Sequence, residues 1–248
     1  MMSISLNEVT AFVEANIGGF HERRILSLEK LELNQILKRK NPYLFRAKNI
    51  LTAPDLVRGL LDAHLSSQEE AIFGEFLEQL AIFVCGKVYS GKKSVATGID
   101  LEFSKDDAVY LVSIKSGPNW GNSSQIAKMI ESFKRAQRIL RTNNPKSKMV
   151  AVNGCCYGKD SNPDKGDYLK LCGQEFWTFI SGNNMLFIEI IEPLGYRAKE
   201  RNDEFNSAYI RIINRFTLKF LEDFCFNGDI DWERLVRFNS ESNVVIKE

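Results

Sequence analysis

No apolar run in this sequence approaches the roughly 18 residues that a membrane-crossing helix needs, so no membrane partner is expected. The opening segment, Met1 to Phe20, also lacks the basic and then apolar regions of a secretory signal, which makes a cytoplasmic location the expectation. An excess of one charge is missing as well. Lys and Arg number 33 against 32 Asp and Glu, a formal net charge of +1, so no global field draws the chain to an anionic partner, which only a local patch can hold. Cysteine is sparse and odd in number: Cys85, Cys155, Cys156, Cys172 and Cys225, with the only two histidines, His21 and His64, far from them. That excludes a disulfide scaffold, argues against a Cys/His zinc site and predicts reduced, largely buried thiols. No repeat, low-complexity tract or linker divides the chain, so one domain over 1–248 is expected. What is present is 44% hydrophobic and 26% charged residues, the proportions of a globular chain able to bury a core.

Periodicity supplies the organisation. From Ser5 to about Lys40 apolar residues recur at helical spacing, interrupted at Gly18-Gly19, which predicts two helices before Asn41-Pro42. Leu56, Val57, Leu60, Leu61 and Leu65 predict a third short helix, and Ser66-x-x-Glu69 or Ser67-x-x-Glu70 a capping box opening a fourth, from about Glu69 to Val84. At Gly98 the period changes. Gly98 to Ser104 and Ala108 to Lys115, joined by Lys105-Asp-Asp107, read as an antiparallel hairpin that ends at Gly117-Pro118. A helix from about Gln125 to Thr142, stopped by Asn143-Asn-Pro145, a strand from Met149 to Cys155 and a loop from Tyr157 to Asp167 follow. Leu169 to Ile180 reads as a helix, Met185 to Ile191 as a buried strand, and Glu204 to Phe226 as a core-packing helix with Phe205, Ile212, Phe216, Phe220 and Phe224 on one stripe. The fold class is therefore α/β, a mixed sheet flanked by helices.

Gly86-Lys-Val-Tyr-Ser-Gly-Lys-Lys93 nearly spells a phosphate-binding loop, but Lys93 stands where Ser or Thr is required, and the segment leaves a helix and approaches a strand, the inverse context. The informative stretch is the hairpin. Alternation places Ser113 and Lys115 on one face with Val109 and Leu111, and Asp100 with Glu102 on the partner strand, so that Asp100 falls opposite Ser113. Charged groups among apolar strands cost several kcal/mol unless paired or metal-bound. An Asp100 to Lys115 ion pair at a sheet edge is one account. The other is chemical: Asp100 and a neighbouring backbone carbonyl, that of Ile114, are oxygen donors suited to a hard divalent cation such as Mg2+, with Lys115 beside them to orient water or offset charge on phosphate.

Gly98-Ile-Asp100, Ser113-Ile-Lys115 and the upstream Gly74-x-x-x-Glu78 resemble the PD-(D/E)XK nuclease superfamily. Four longer segments are similar to type II restriction endonucleases of the PmeII-like branch: Asn41-Pro-Tyr-Leu-Phe-Arg-Ala-Lys-Asn49, Ser67-Gln-Glu-Glu-Ala-Ile-Phe-Gly74, Ile114-Lys-Ser-Gly-Pro-Asn-Trp-Gly-Asn122 and Gly173-Gln-Glu-Phe-Trp-Thr-Phe-Ile-Ser-Gly182. The resemblance implies a restriction-endonuclease-like core over 67–192 with helical additions at 1–66 and 193–248. It implies Asp100 as a metal ligand, Lys115 as the catalytic lysine and Glu78 as an acidic, metal-binding residue of the preceding helix. Ser113 departs from the pattern, which has Asp or Glu there. Glu78, Glu70, Glu75, Glu102 and Glu131 are the candidates for the missing acid, with Glu78 ranked first and Glu131 second.

A DNA surface should accompany such a site. Lys128, Lys134, Arg135, Arg138 and Arg141 crowd one helix, followed by Lys146 and Lys148, and Asn119, Trp120 and Asn122 follow the catalytic strand where a loop can reach DNA. Lys38-Arg-Lys40 to Arg46-Ala-Lys48 is a second basic segment, and Trp177 reads as core packing. The implied activity is Mg2+-dependent, sequence-specific cleavage of double-stranded DNA in a restriction system. A homodimer is expected from the two-fold symmetry of a palindromic site, and a DNA methyltransferase is expected in the same system without a stable complex. The competing class is an inactive nuclease-fold module that binds DNA or protein, favoured by the serine at 113.

Overall fold

The structure is a computed structural model that describes residues 4–143 and 147–242. The chain forms two compact units, neither of them contiguous in sequence: residues 1–20 with 71–196, and residues 21–70 with 197–248. Two long helices, α1 (Leu6–Glu29) and α4 (Ala53–Tyr89), give residues to both.

The first unit is built on a five-stranded mixed sheet ordered β1 (Lys92–Lys93), β2 (Leu101–Lys105), β3 (Ala108–Lys115), β4 (Lys148–Cys155) and β5 (Leu169–Cys172). The β1–β2 and β2–β3 pairs are antiparallel, whereas β3–β4 and β4–β5 are parallel. The hairpin closes at Lys105↔Ala108 through Asp106 and Asp107, both at positive φ (49° and 59°), the backbone of a two-residue type I′ turn whose twist suits the strands. Helix α5 (Ser123–Asn143) carries the chain from β3 to its parallel neighbour β4. Strand alternation then divides the side chains. Leu101, Phe103, Val112 and Ile114 enter one core with Val9 and Val13 of α1 and Leu80 and Val84 of α4. Leu111 and Ala151, with Ile99 just before β2, enter a smaller core with Met129, Phe133 and Ala136 of α5. Each Val, Leu, Ile, Phe or Met side chain so buried adds about 1.5 to 3 kcal/mol. Cys85, Cys155, Cys156 and Cys172 are buried thiols and Cys225 is half-buried. Trp177 is core, its indole N–H donated to the Cys156 carbonyl at 2.8 Å.

The second unit is mostly helical: α2 (Leu33–Leu37), α3 (Pro42–Ala47), α9 (Ala198–Phe224), α10 (Trp232–Ser240), the adjoining parts of α1 and α4, and a small hairpin of β6 (Cys225–Phe226) and β7 (Asp229–Ile230). Leu28, Leu56, Leu60, Leu61, Phe216 and Phe220 form its core. The basic segment around Asn41 is partly engaged there: Lys38 and Arg46 lie over the Phe238 and Trp232 rings, and Phe45 is buried.

Several local expectations are corrected. Helix α1 runs through Gly18-Gly19 without a break. A mid-helix glycine costs about 1 kcal/mol against alanine, which the burial of Val9, Val13, Ile17 and Leu28 along that helix exceeds. The two helices expected across 54–84 are one, α4, capped not at Ser66 or Ser67 but at Thr52, whose Oγ1 accepts the Asp55 N–H at 3.3 Å. Gln68 and Glu69 instead tie α4 to α1 within the second unit, accepting from Ser27 at 3.1 Å and pairing with Arg24 at 2.7 Å. The helix expected over 169–180 begins as β5, and α6 (Gln174–Ser181) starts only after Gly173, at φ 54°. The strand expected over 185–191 is two single-turn helices, α7 (Leu186–Glu189) and α8 (Ile191–Leu194), joined at Ile190, which is buried with Leu186 four residues before it. The helix stop at Asn144-Pro145 and the cation Lys146 lie outside the described residues.

Candidate active site

Asp100 directly precedes β2, and its N–H donates to the Val112 carbonyl at 2.9 Å, which carries the hairpin register one pair past Leu101↔Val112 and sets Asp100 across from Ser113. The approach needs glycine at 98. Gly98 has φ 82°, and a Cβ there would lie 2.7 Å from Ser132 Oγ of α5. Asp100 Oδ2 accepts the Ile114 N–H at 2.7 Å and the Ser113 hydroxyl at 3.4 Å, and stands 4.0 Å from Lys115 Nζ. Among the described residues Oδ1 accepts no hydrogen bond. The carboxylate and the ammonium are 23% and 29% exposed, so both reach solvent from an otherwise buried strand pair.

Lys115 has a second neighbour. Its Nζ lies 5.2 Å from the centroid of the Trp120 ring, and the Trp120 indole N–H donates to Asn153 Oδ1 at 3.0 Å. Asn153, on β4 opposite Ser113 and 0% exposed, donates through Nδ2 to the Ser113 carbonyl at 3.1 Å. Asn153 was not among the residues that the sequence singled out. Its signal was a single amide inside the apolar run Met149-Val-Ala-Val-Asn-Gly-Cys155.

The loop that follows β3 is fastened from a distance. Lys170 donates to the Pro118 carbonyl at 3.0 Å and pairs with Asp160 at 3.2 Å, while Asp160 also takes Lys165 at 2.9 Å and the Asn162 N–H at 3.0 Å. Chiefly through the Lys165 hydrogen bond, the Asp160 carboxyl is held down at about 2. Neither Asp160 nor Lys170 stood among the candidates, because their pairing spans a Gly/Pro/Asp loop without periodicity.

The remaining candidates are more scattered. Glu78 lies on α4, which packs through Leu77, Leu80 and Ala81 on the sheet face opposite to that of Leu111 and α5, and its carboxylate pairs with Lys93 at 3.3 Å. One turn earlier, a Cβ on Gly74 would come within 3.4 Å of Ser116, so this helix passes close to the end of β3. Glu78 is also near enough to Cys156 to add to the rise that burial gives that thiol, to about 12. Glu102 is engaged by Lys92 at 3.1 Å and by Ser94 at 2.9 Å. Glu75, Glu70 and Glu131 are exposed. Lys128, Lys134, Arg135, Arg138 and Arg141 are all exposed on α5, with Lys134 paired to Asp167 at 2.9 Å. Asn119 is exposed, and Asn122 caps α5, accepting the Gln125 N–H at 3.0 Å.

Among the described residues no three His, Cys, Asp or Glu side chains gather as a metal cluster. The donors at the hairpin nevertheless suit a hard divalent cation: an accessible carboxylate with Oδ1 unclaimed, beside strand carbonyls and a hydroxyl. Among the described residues no helix is long and apolar enough to cross a membrane.

The family model described as Type II restriction endonuclease EcoO109I matches residues 7–202, and no curated protein matches the chain. The family so named is that of EcoO109I, and the match says nothing of a PmeII-like branch. The matched span holds the whole sheet, α4, α5 and the Asp100–Lys115 hairpin, so the chain belongs to the EcoO109I family of type II restriction endonucleases and is a site-specific deoxyribonuclease acting on double-stranded DNA.

Proposed function

We propose that this endonuclease is the Mg2+-dependent restriction enzyme of a restriction–modification system, acting in the cytoplasm as a homodimer. The observation that carries the site assignment is the convergence of Asp100, the Ile114 backbone and Lys115 at one end of the hairpin. Asp100 and the Ile114 carbonyl would hold the cation; Glu78, on the helix that passes the end of β3, ranks first as the further acid, and Glu131, on the α5 face toward which Asp100 points, second. When bound, such an ion polarises a phosphate and brings its water toward ionisation near neutral pH.

The protein's own groups do the rest. The Ile114 N–H fixes the Asp100 carboxylate in one orientation at 2.7 Å, so no reorganisation is needed when charge develops beside it. Lys115 serves as the catalytic lysine, offsetting the negative charge that grows on the phosphate and orienting the attacking water. Lys128, Lys134, Arg135, Arg138 and Arg141 contact backbone phosphates, and Asn119 and Asn122 border the DNA, while Trp120 of the same loop lies against Lys115. Within the one nuclease domain of 1–248, residues 67–192 form the catalytic core. A two-fold assembly matches two strands of a palindromic duplex, one site for each. A cognate methyltransferase acts separately on the same sites. Incubation of the purified protein with plasmid DNA, with Mg2+ or with chelator, tests the reading. Discrete fragments only with Mg2+ are expected, and cleavage undiminished by chelator would overturn the metal assignment.

A further inference from the structure

We propose that Trp120 and Asn153 are positioning residues for Lys115: the buried amide anchors the indole, and the indole face holds the ammonium beside Asp100 without using any of its hydrogens. The proposal rests on the reading of Lys115 as the catalytic lysine.

The anchor is determined by donor and acceptor chemistry. An indole N–H only donates, so at 3.0 Å it must meet the carbonyl oxygen of the Asn153 amide, which turns Nδ2 toward the Ser113 carbonyl, an acceptor only, at 3.1 Å. Both ends of a side chain with no exposure are thereby satisfied, and removing either partner leaves a buried polar group unpaired. The body of Trp120 packs against the core of Ile99, Leu111 and Met129, which pins the loop after β3 from its other side. Asn153 therefore joins three things: β4, the backbone of β3 between Asp100 and Lys115, and the ring under the lysine.

The manner in which Lys115 is held matters to its role. Among the described residues its neighbours Asp100 Oδ2, at 4.0 Å, and the Trp120 ring, at 5.2 Å, attract the charge, and neither is at hydrogen-bonding distance. Among those residues no acceptor takes an ammonium hydrogen, which leaves all three for water and phosphate oxygens. Without the ring, the flexible side chain is free to fold onto Asp100 and spend its donors there. In this arrangement the indole N–H is taken and one ring face is covered, so Trp120 acts on the reaction through Lys115 rather than by stacking on a base.

The test compares cleavage of a plasmid at saturating Mg2+ with duplex binding in Ca2+, for Trp120→Leu, Trp120→Phe, Asn153→Leu and Lys115→Ala. Trp120→Leu and Asn153→Leu are expected to lower kcat by about tenfold while the Kd for duplex changes by less than about twofold, and Trp120→Phe, which keeps a ring face, to recover most of the loss. A raised Kd with unchanged kcat in the Trp120 variants would make the ring a DNA contact and overturn the proposal. Equal kcat for the Phe and Leu variants would also overturn it. If Asn153→Leu loses its near-ultraviolet circular dichroism, the Trp120 pair decides alone. Normal cleavage by Lys115→Ala removes the lysine assignment itself, a failure distinct from slow Lys115→Ala with indifferent Trp120 variants.

Discussion

Asp100 Oδ2 accepts the backbone N–H of Ile114 at 2.7 Å, so the acid of one hairpin strand is tied to the residue that separates Ser113 from Lys115 on the other. The bond is shorter and better formed than the 4.0 Å ion pair to Lys115, which at a solvent-accessible site adds at most about 1 kcal/mol. The carboxylate is thus placed by the backbone, and the lysine is left able to act.

From this geometry Asp100→Asn, which retains an oxygen for the Ile114 N–H but removes the charge, should fold normally and lose cleavage. Lys115→Ala should lower cleavage by at least about 100-fold while retaining duplex affinity in Ca2+. Thermal melts, plasmid cleavage and Ca2+ binding assays separate the two effects, and normal cleavage by either variant would sink the site.

If the exposed cations of α5 meet phosphates, log Kd for duplex should vary with log salt by about 0.9 per contact, and Arg135→Ala with Arg138→Ala should reduce that slope by about 2. An unchanged slope would return the helix to an ordinary solvated face.

Ser113 supplies a hydroxyl where an acid is usual, which makes the source of the second carboxylate measurable. Glu78→Gln should slow cleavage by at least about tenfold with little change in melting temperature, because its pairing with Lys93 is solvent-accessible. Should Glu78→Gln cleave normally and Glu131→Gln fail, the acid comes from α5, on the face toward which Asp100 points.

The Asp160 carboxyl is lowered from 3.8 to about 2, so its contribution to stability is complete above the ordinary carboxylate range and is lost as pH falls toward 2. Asp160→Asn should therefore show a smaller drop in melting temperature between pH 4 and pH 2 than the parent, on the order of the one titration that it deletes. Parallel acid melting curves for the two proteins would contradict the assignment.

What the sequence determined by itself was local and periodic. Alternation over 98–115 around Lys105-Asp-Asp107 sufficed for the hairpin, since a strand's faces repeat every second residue and one register alone buries Leu101, Val112 and Ile114 together, while the structure shortened the turn to Asp106-Asp107. The same rule put Asp100 across from Ser113 before any coordinates. Helix limits were less legible, because Gly18-Gly19 and Ser66-Ser67 carry local signals to stop or start that burial along α1 and α4 overrides. Four residues of β5 and the single turns of α7 and α8 are too short for either period to show. Only the tertiary structure decided that Asn153 and Trp120, thirty-three positions apart, share a hydrogen bond beneath Lys115. That bond exists because parallel pairing of β3 and β4 sets Ser113 beside Asn153, and a pairing between strands separated by a whole helix leaves no mark in the spacing of residues along the chain.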